Sequence, residues 1–485
     1  MQKMLANIDA KFVTMPPIDN DDIYYVRECV CRTLDNRRVD LLTVTSRKGI
    51  SSSRETRLKN LFPEENVGRP HRFPDKKTIF ISARVHPGET PSSFVFNGLL
   101  HLLLNREDQI AIVLRRMYVF KLIPCLNPDG VARGHYRTDA RGVNLNRMYL
   151  NPSLTLHPSI YAARALIRYY HYGYERADLS TLCPSCLDDP SADAATREQE
   201  GHHSGNVISS KVSNMSLEES NTPICLQLKR LCTICGSPVK HSSTDLMDKS
   251  SGRGDVSPND SGLFLYMDLH GHASKKGIFI YGNHFDTPEQ NVECMLLAKL
   301  MSINNHNFHF TACNFSEKNM FIKDKRDGMS RAGSGRVAIS TLTGLVKSYT
   351  LECNYNTGRL VNILPPTVKE RQQKGYALAV PPKYSPSVFE EVGRSLGASV
   401  LDLTGNNPLT RLPHSEFHSL NGVMDWLRTN CLQEFSESNH TTNNIKVETK
   451  VQLVAEDQAT YQSKIRYSSF GTEKYIESSS IVSTS

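Results

Sequence analysis

The sequence predicts an α/β protein: a mixed, mostly parallel sheet covered by helices on both faces. Three observations predict it. Short apolar runs of strand length recur along the chain. Segments with apolar residues at helical spacing lie between them, and turn or cap residues mark the boundaries. Strands that are separated by helices of this length pair side by side with their faces covered.

Residues 22–30 and 38–45 are β-rich. Residues 77–85 (KTIFISARV) read as a buried strand, followed by HPGETPSS and a helix over 94–104 that Thr90 or Ser92 is placed to cap. Residues 118–126 (YVFKLIPCL) read as a second buried strand, ended by the turn Asn127-Pro128-Asp129-Gly130, with a helix over 159–172. From 175 to 261 the chain is rich in Ser, Asp, Asn and Thr with little periodicity, which predicts a long disordered insertion. Strands then follow over 263–269, 278–281 and 346–351, with helices over 288–304 and 385–403. The expected division is an N-terminal lead (1–22), a catalytic domain in two pieces (23–174 and 262–405), the insertion, an extension (406–434) and a disordered tail (435–485).

Composition narrows the function. With 39% hydrophobic and 22% charged residues among 485, the chain reads as a soluble globular protein, and no apolar run reaches the length of a membrane span. Twelve cysteines without a secretory leader predict reduced thiols. A net charge of +7 is too small to imply nucleic-acid binding, but suits an acidic substrate if concentrated at one site.

Four clusters carry chemistry. His86-Pro87-Gly88-Glu89 ends a buried strand, where open α/β sheets place ligands, and an imidazole with a carboxylate suits Zn²⁺. Chance alone supplies about two His-x-x-acid spacings among 17 His and 50 acidic residues, so the pair means little in isolation. Met267-Asp268-Leu269-His270-Gly271-His272 ends another strand, and either histidine there offers a third ligand that leaves a fourth position for water. Asn146-Arg147 offers an amide and a guanidinium fork for a terminal carboxylate; Arg137 lies upstream, and a solvated turn is the bland alternative. Glu352, alone in the strand-like run SYTLEC, needs either a partner or a function. Cys183-x-x-Cys186 and Cys232-x-x-Cys235 have zinc-ribbon spacing inside the insertion, but lie farther apart than such pairs usually do.

Taken in order, HPGETPSSFVFNG, LNPDGVARGHYRTDARGVNLNR, DLHGHASKKGIFIYGN, CNFSEKNM and SYTLECNYNTGR resemble the zinc metallocarboxypeptidases, and more narrowly their cytosolic, tubulin-deglutamylating branch. The resemblance covers residues 23–357 outside the insertion and continues weakly through 385–403. It implies His86, Glu89 and His270 as ligands of one Zn²⁺ per chain, with His270 preferred over His272. It implies Glu352 as the general base and Arg137 as the group that polarises the scissile carbonyl. Asn146 and Arg147 would bind the substrate's C-terminal carboxylate, and Arg336, counted back from Glu352, would receive a glutamate side chain; an ordinary surface arginine is its bland reading. Lys275 and Lys276 read as solvated lysines. Implied partners are tubulin, microtubules and other polyglutamylated proteins, with no nucleic acid and no membrane; the implied location is cytoplasmic, extending to microtubules and the nucleus.

Three departures stand out. Asn144 stands where the broader family often has Asp as the outer partner of the first zinc histidine, and His135 replaces a common Asn. The resemblance implies a β-sandwich domain ahead of the catalytic domain, and residues 1–22 are expected to be too few to form it. The alternatives to a deglutamylase are an N-acyl-amino-acid acylase built on the same ligands and a non-catalytic binder of tubulin tails.

Overall fold

Seven strands form one sheet in the order β1-β2-β4-β3-β5-β7-β6 in a computed structural model of the chain. They are β1 (Ile23–Arg32), β2 (Arg38–Ser46), β3 (Lys77–Ala83), β4 (Tyr118–Ile123), β5 (Leu263–His272), β6 (Ile278–Tyr281) and β7 (Ser348–Asn354). The structure describes residues 2–14, 16–176, 260–325, 327–370 and 380–431. The insertion's interior, its two Cys-x-x-Cys pairs and the tail lie outside the described residues.

The ladders β4–β3, β3–β5 and β5–β7 are parallel, whereas β1–β2, β2–β4 and β6–β7 are antiparallel. Only β2 and β6 therefore oppose the common direction, so the expected mixed, mostly parallel sheet is the one observed. The helices are α1 (Gln2–Thr14), α2 (Pro91–Leu103), α3 (Gln109–Met117), α4 (Pro128–Arg133), α5 (Pro158–Tyr172), α6 (Pro288–Asn304), α7 (Glu317–Phe321), α8 (Gly335–Thr343), α9 (Pro386–Asp402) and α10 (Leu420–Cys431).

Strand alternation assigns the two cores. In β3, Ile79 and Ile81 pack with α2, α3, α6 and α9, while Phe80 joins α5 and α8 on the opposite face. Both faces are covered, which is why the strands read as continuous apolar runs rather than alternating ones.

Local chemistry corrects several boundaries. Thr90 occupies the cap position of α2, but neither it nor Ser92 caps the helix through its side chain; Ser92 Oγ instead donates to Glu89 O at 2.6 Å. The strand expected over 118–126 stops at Ile123, and Pro128 opens a short helix whose cap, Asn127, accepts from Gly130 N at 2.9 Å. The lead before β1 contains a helix with Leu5 buried in the core. Among the described residues no helix is long and apolar enough to cross a membrane.

Candidate active site

The chain leaves β3 to one side for β4 and later returns on the other side for β5, so the carboxyl ends of these strands open a crevice. Just past β3, Arg84 adopts φ +58°, a region that non-glycine residues rarely enter, and turns the chain sharply. Its guanidinium donates to Pro87 O at 2.7 and 3.1 Å and to Ser93 Oγ at 2.8 Å, bracing the His86–Glu89 turn from behind. Gly88 is needed there, because a Cβ would sit 2.5 Å from the Tyr136 ring and 2.9 Å from its carbonyl oxygen. That close approach brings the neighbouring Arg137 to the site, with Nη1 3.7 Å from Glu89 Oε1.

His86, Glu89 and His270 converge. Their candidate ligand atoms lie within 4.8 Å of one another, and all three side chains are buried. His86 Nδ1 is 2.8 Å from Glu89 Oε1, and His270 Nδ1 is 2.8 Å from Glu89 Oε2, which also accepts from Gly271 N at 3.0 Å. The outer nitrogens face acceptors: His86 Nε2 lies 3.0 Å from Asn144 Oδ1, and His270 Nε2 lies 2.7 Å from Asp268 Oδ2. Such partners keep the proton on each Nε2 and leave both Nδ1 lone pairs directed at a carboxylate. Two lone pairs facing an anion require a cation between them. The donor set of two imidazoles and one carboxylate therefore fits Zn²⁺, and Asn144 fills the outer position the sequence assigned to it.

Without the metal, protons do that work unevenly. Burial lowers the His86 pKa although Glu89 opposes it. His270 lies well above its ordinary value: burial acts against the charge, but Asp268 and Glu89 outweigh it. Burial also acts against the Glu89 charge, yet the two imidazoles bring its pKa below the usual carboxylate range.

Glu352 stands in β7 level with His270 and lines the same cleft of about 270 Å³. It forms no ion pair, and its carboxylate accepts no hydrogen bond among the described residues. Burial, reinforced by Glu89 and opposed by His270, pushes its pKa up to about 8. A divalent cation nearby acts in the opposite direction and favours the ionised form.

Arg137 and Arg147 meet across the cleft at Asp324, whose Oδ2 accepts from their Nη2 atoms at 3.0 and 3.2 Å. Asn146 Oδ1 accepts from Gly335 N at 3.0 Å, which leaves its amide N–H groups as the available donors. Arg336 is not a surface residue. It lies in the first turn of α8 at 2% exposure, donating to Gly282 O, to Asn283 Oδ1 at 2.8 Å and to Asn319 O at 3.4 Å. Burial lowers its pKa to about 10, so it remains cationic at neutral pH. His272 stays out of the metal cluster and accepts from Lys275 N at 3.0 Å. Lys275 packs over Phe279 and donates to Ala312 O at 2.6 Å, and Lys276 is exposed.

Sequence reasoning missed Asp268, Asp324 and Arg331. Asp268 carried a signal, since residues two apart in a strand share a face. Arg331 lines the cleft, bonds Asn319 Oδ1 and lies 5.6 Å from the Tyr281 ring; nothing local distinguished it from a surface arginine.

Residues 26–215 match the peptidase M14, zinc carboxypeptidase, family model. The chain is also similar to cytosolic carboxypeptidase-like proteins. It is 46% identical over 466 residues to Cytosolic carboxypeptidase-like protein 5 of Danio rerio, covering 91% of this chain and 51% of that protein. It is 44% identical over 438 residues to the Homo sapiens protein of the same name, covering 88% and 48%. The chain thus spans about half the length of the curated relatives it matches. A metallo-carboxypeptidase structure from Burkholderia cenocepacia aligns with a TM-score of 0.47 at 16% identity, over 83% of this chain and 69% of that one.

Proposed function

We propose that the protein is a zinc-dependent carboxypeptidase that removes glutamate, C-terminal or γ-linked at branch points, from polyglutamylated proteins, chiefly tubulin, in the cytoplasm. The observation that carries this reading is the placement of Glu352, a carboxylate with no ion-pair partner among the described residues, on the same cleft as the His86–Glu89–His270 cluster.

His86, Glu89 and His270 would hold a Zn²⁺ ion, which would supply a Lewis acid for the carbonyl and for water. Glu352 accepts the proton of the attacking water and returns it to the leaving amine. Arg137 donates to the oxyanion that develops on the scissile carbonyl, a contribution of about 3–4 kcal/mol for a well-placed donor. Arg147 and the Asn146 amide hold the terminal carboxylate, which restricts attack to a chain end. Arg331 and Arg336 line the cleft without a carboxylate partner among the described residues, which suits an acidic last side chain. The tubulin assignment and the branch linkage rest on the likeness to the cytosolic branch.

The test compares products by mass spectrometry from linear and γ-branched glutamylated peptides. Wild-type protein should contain about one zinc per chain and release glutamate. Glu352→Gln should retain the metal and lose activity by at least about 10²–10⁴-fold. Cleavage of acyl amino acids but not of peptides would replace this reading with the acylase, and tail binding without release would replace it with the non-catalytic binder.

A further inference from the structure

Asp324 reaches the cleft from the tip of a hairpin-like loop. Lys323 and Ser330 form an antiparallel bridge at its root, Arg331 N donates to Ile322 O at 3.1 Å, and Asp324 N donates to Met329 O at 2.9 Å. Gly328, at φ +66°, closes the turn and donates to Asp324 O at 2.8 Å. The neighbouring Lys323, Lys325, Asp327 and Gly328 are exposed, while the Asp324 side chain turns inward to 18% exposure and spans both guanidinium groups. Asp327 Oδ2 accepts from Asn144 Nδ2 at 2.8 Å, tying the same loop to the outer partner of His86.

We propose that Asp324 is an internal competitor of the substrate: it occupies Arg147, which holds the terminal carboxylate, and Arg137, which serves the scissile carbonyl, until an arriving chain end displaces it. This rests on the carboxypeptidase reading above. A terminal carboxylate that replaces Asp324 on Arg147 breaks as much ion pairing as it forms, so that contact alone gains little. A C-terminal glutamate brings a second carboxylate, and Arg331 and Arg336 on the same cleft have no carboxylate partner among the described residues. The net gain therefore falls to the doubly charged chain end. A glutamine-ended chain has the same shape but must displace Asp324 without that return.

The test uses the full chain, wild type and Asp324→Asn, on two peptides that differ only in a last residue of glutamate or glutamine. Both chain ends displace Asp324 at the same cost, so removing the competing charge should lower KM for each peptide about fivefold and leave the ratio of their kcat/KM values unchanged. Asp324→Glu, which retains the charge, should retain both wild-type KM values. Calorimetric titration with L-glutamate and L-glutamine gives a second readout independent of turnover, and each should bind the Asp324→Asn protein about fivefold tighter. An unchanged KM for both peptides, a fall in kcat in place of KM, or no binding of either amino acid to either protein overturns the inference. If Asp324→Asn lowers the thermal midpoint, Asp324→Ser provides the same comparison. Wild-type protein that releases nothing from any peptide defeats the carboxypeptidase reading, while the two amino-acid affinities still decide the role of Asp324.

Discussion

Asp268 does for His270 what Asn144 does for His86, and the contrast between a carboxylate and an amide makes the two ligands unequal. Asp268 Oδ2 faces His270 Nε2, while Asp268 Oδ1 accepts from Ser82 Oγ at 2.7 Å, so the anion is locked between β3 and its own strand. A carboxylate partner raises the basicity of the ligating imidazole more than an amide oxygen does. Asp268→Asn should therefore weaken zinc binding about 10–100-fold, as measured by competition with a chromogenic chelator, and Asn144→Asp should strengthen it. At this scale the ligands themselves were legible in the sequence, because each lies at the end of a strand-like run. Their partners were less so. Asn144 could be assigned through a motif, whereas Asp324 and Arg331 belong to a loop whose relation to the cleft depends on residues far away in the chain.

Helices α2 and α9 of the first core show how an element is positioned by what it lacks. An ideal Cβ on Gly98 would lie 1.9 Å from Glu390 O, and one on Gly393 would lie 2.0 Å from Val95 O. The helices therefore cross backbone to backbone at paired glycines, which seats the helix following Glu89 firmly against the domain. Gly393→Ala should destabilise the protein by about 1–3 kcal/mol or more, because backbone rather than a movable side chain must give way; denaturant unfolding checks this. Apolar periodicity revealed both helices, since each exceeds three turns. Helices α3 and α8, at nine residues each, are too short for periodicity to stand out, and their stability comes from packing. Missing α8 is what made Arg336 look like a surface arginine. In its first turn the side chain is buried and lines the cleft, held by Gly282, Asn283 and Asn319.

The whole molecule must hold the ends of α5 and β5 together although residues 177–259 lie between them. His171 Nδ1 meets Ser261 Oγ at 2.8 Å, Gly262 N donates to His171 O at 3.3 Å, and Gly262 O accepts from Thr78 N at 2.7 Å. Burial, with help from Arg176, lowers the His171 pKa to about 4, against 6.5 for the free side chain. The unfolded chain therefore takes up this proton first. The contribution is fully present above about pH 6.5 and is lost as pH falls toward about 4, up to about 3 kcal/mol. Unfolding free energies measured from pH 7 to pH 4 should fall less steeply for His171→Gln than for the wild type; equal slopes would contradict the account.

Sequence by itself determined the kind and order of the elements, the two-faced burial of the sheet, and the residues that form the metal cluster. The first two follow from short-range periodicity; the cluster follows from ligand types placed at strand ends together with the resemblance, which preferred His270 over His272. Only the tertiary structure decided that Ser82 locks Asp268 behind His270 and that Asp324 spans the two arginines. The reason is geometric: lateral strand order and loop packing join residues separated by more than a hundred positions, and nothing in a local stretch of chain encodes which distant group will arrive beside it.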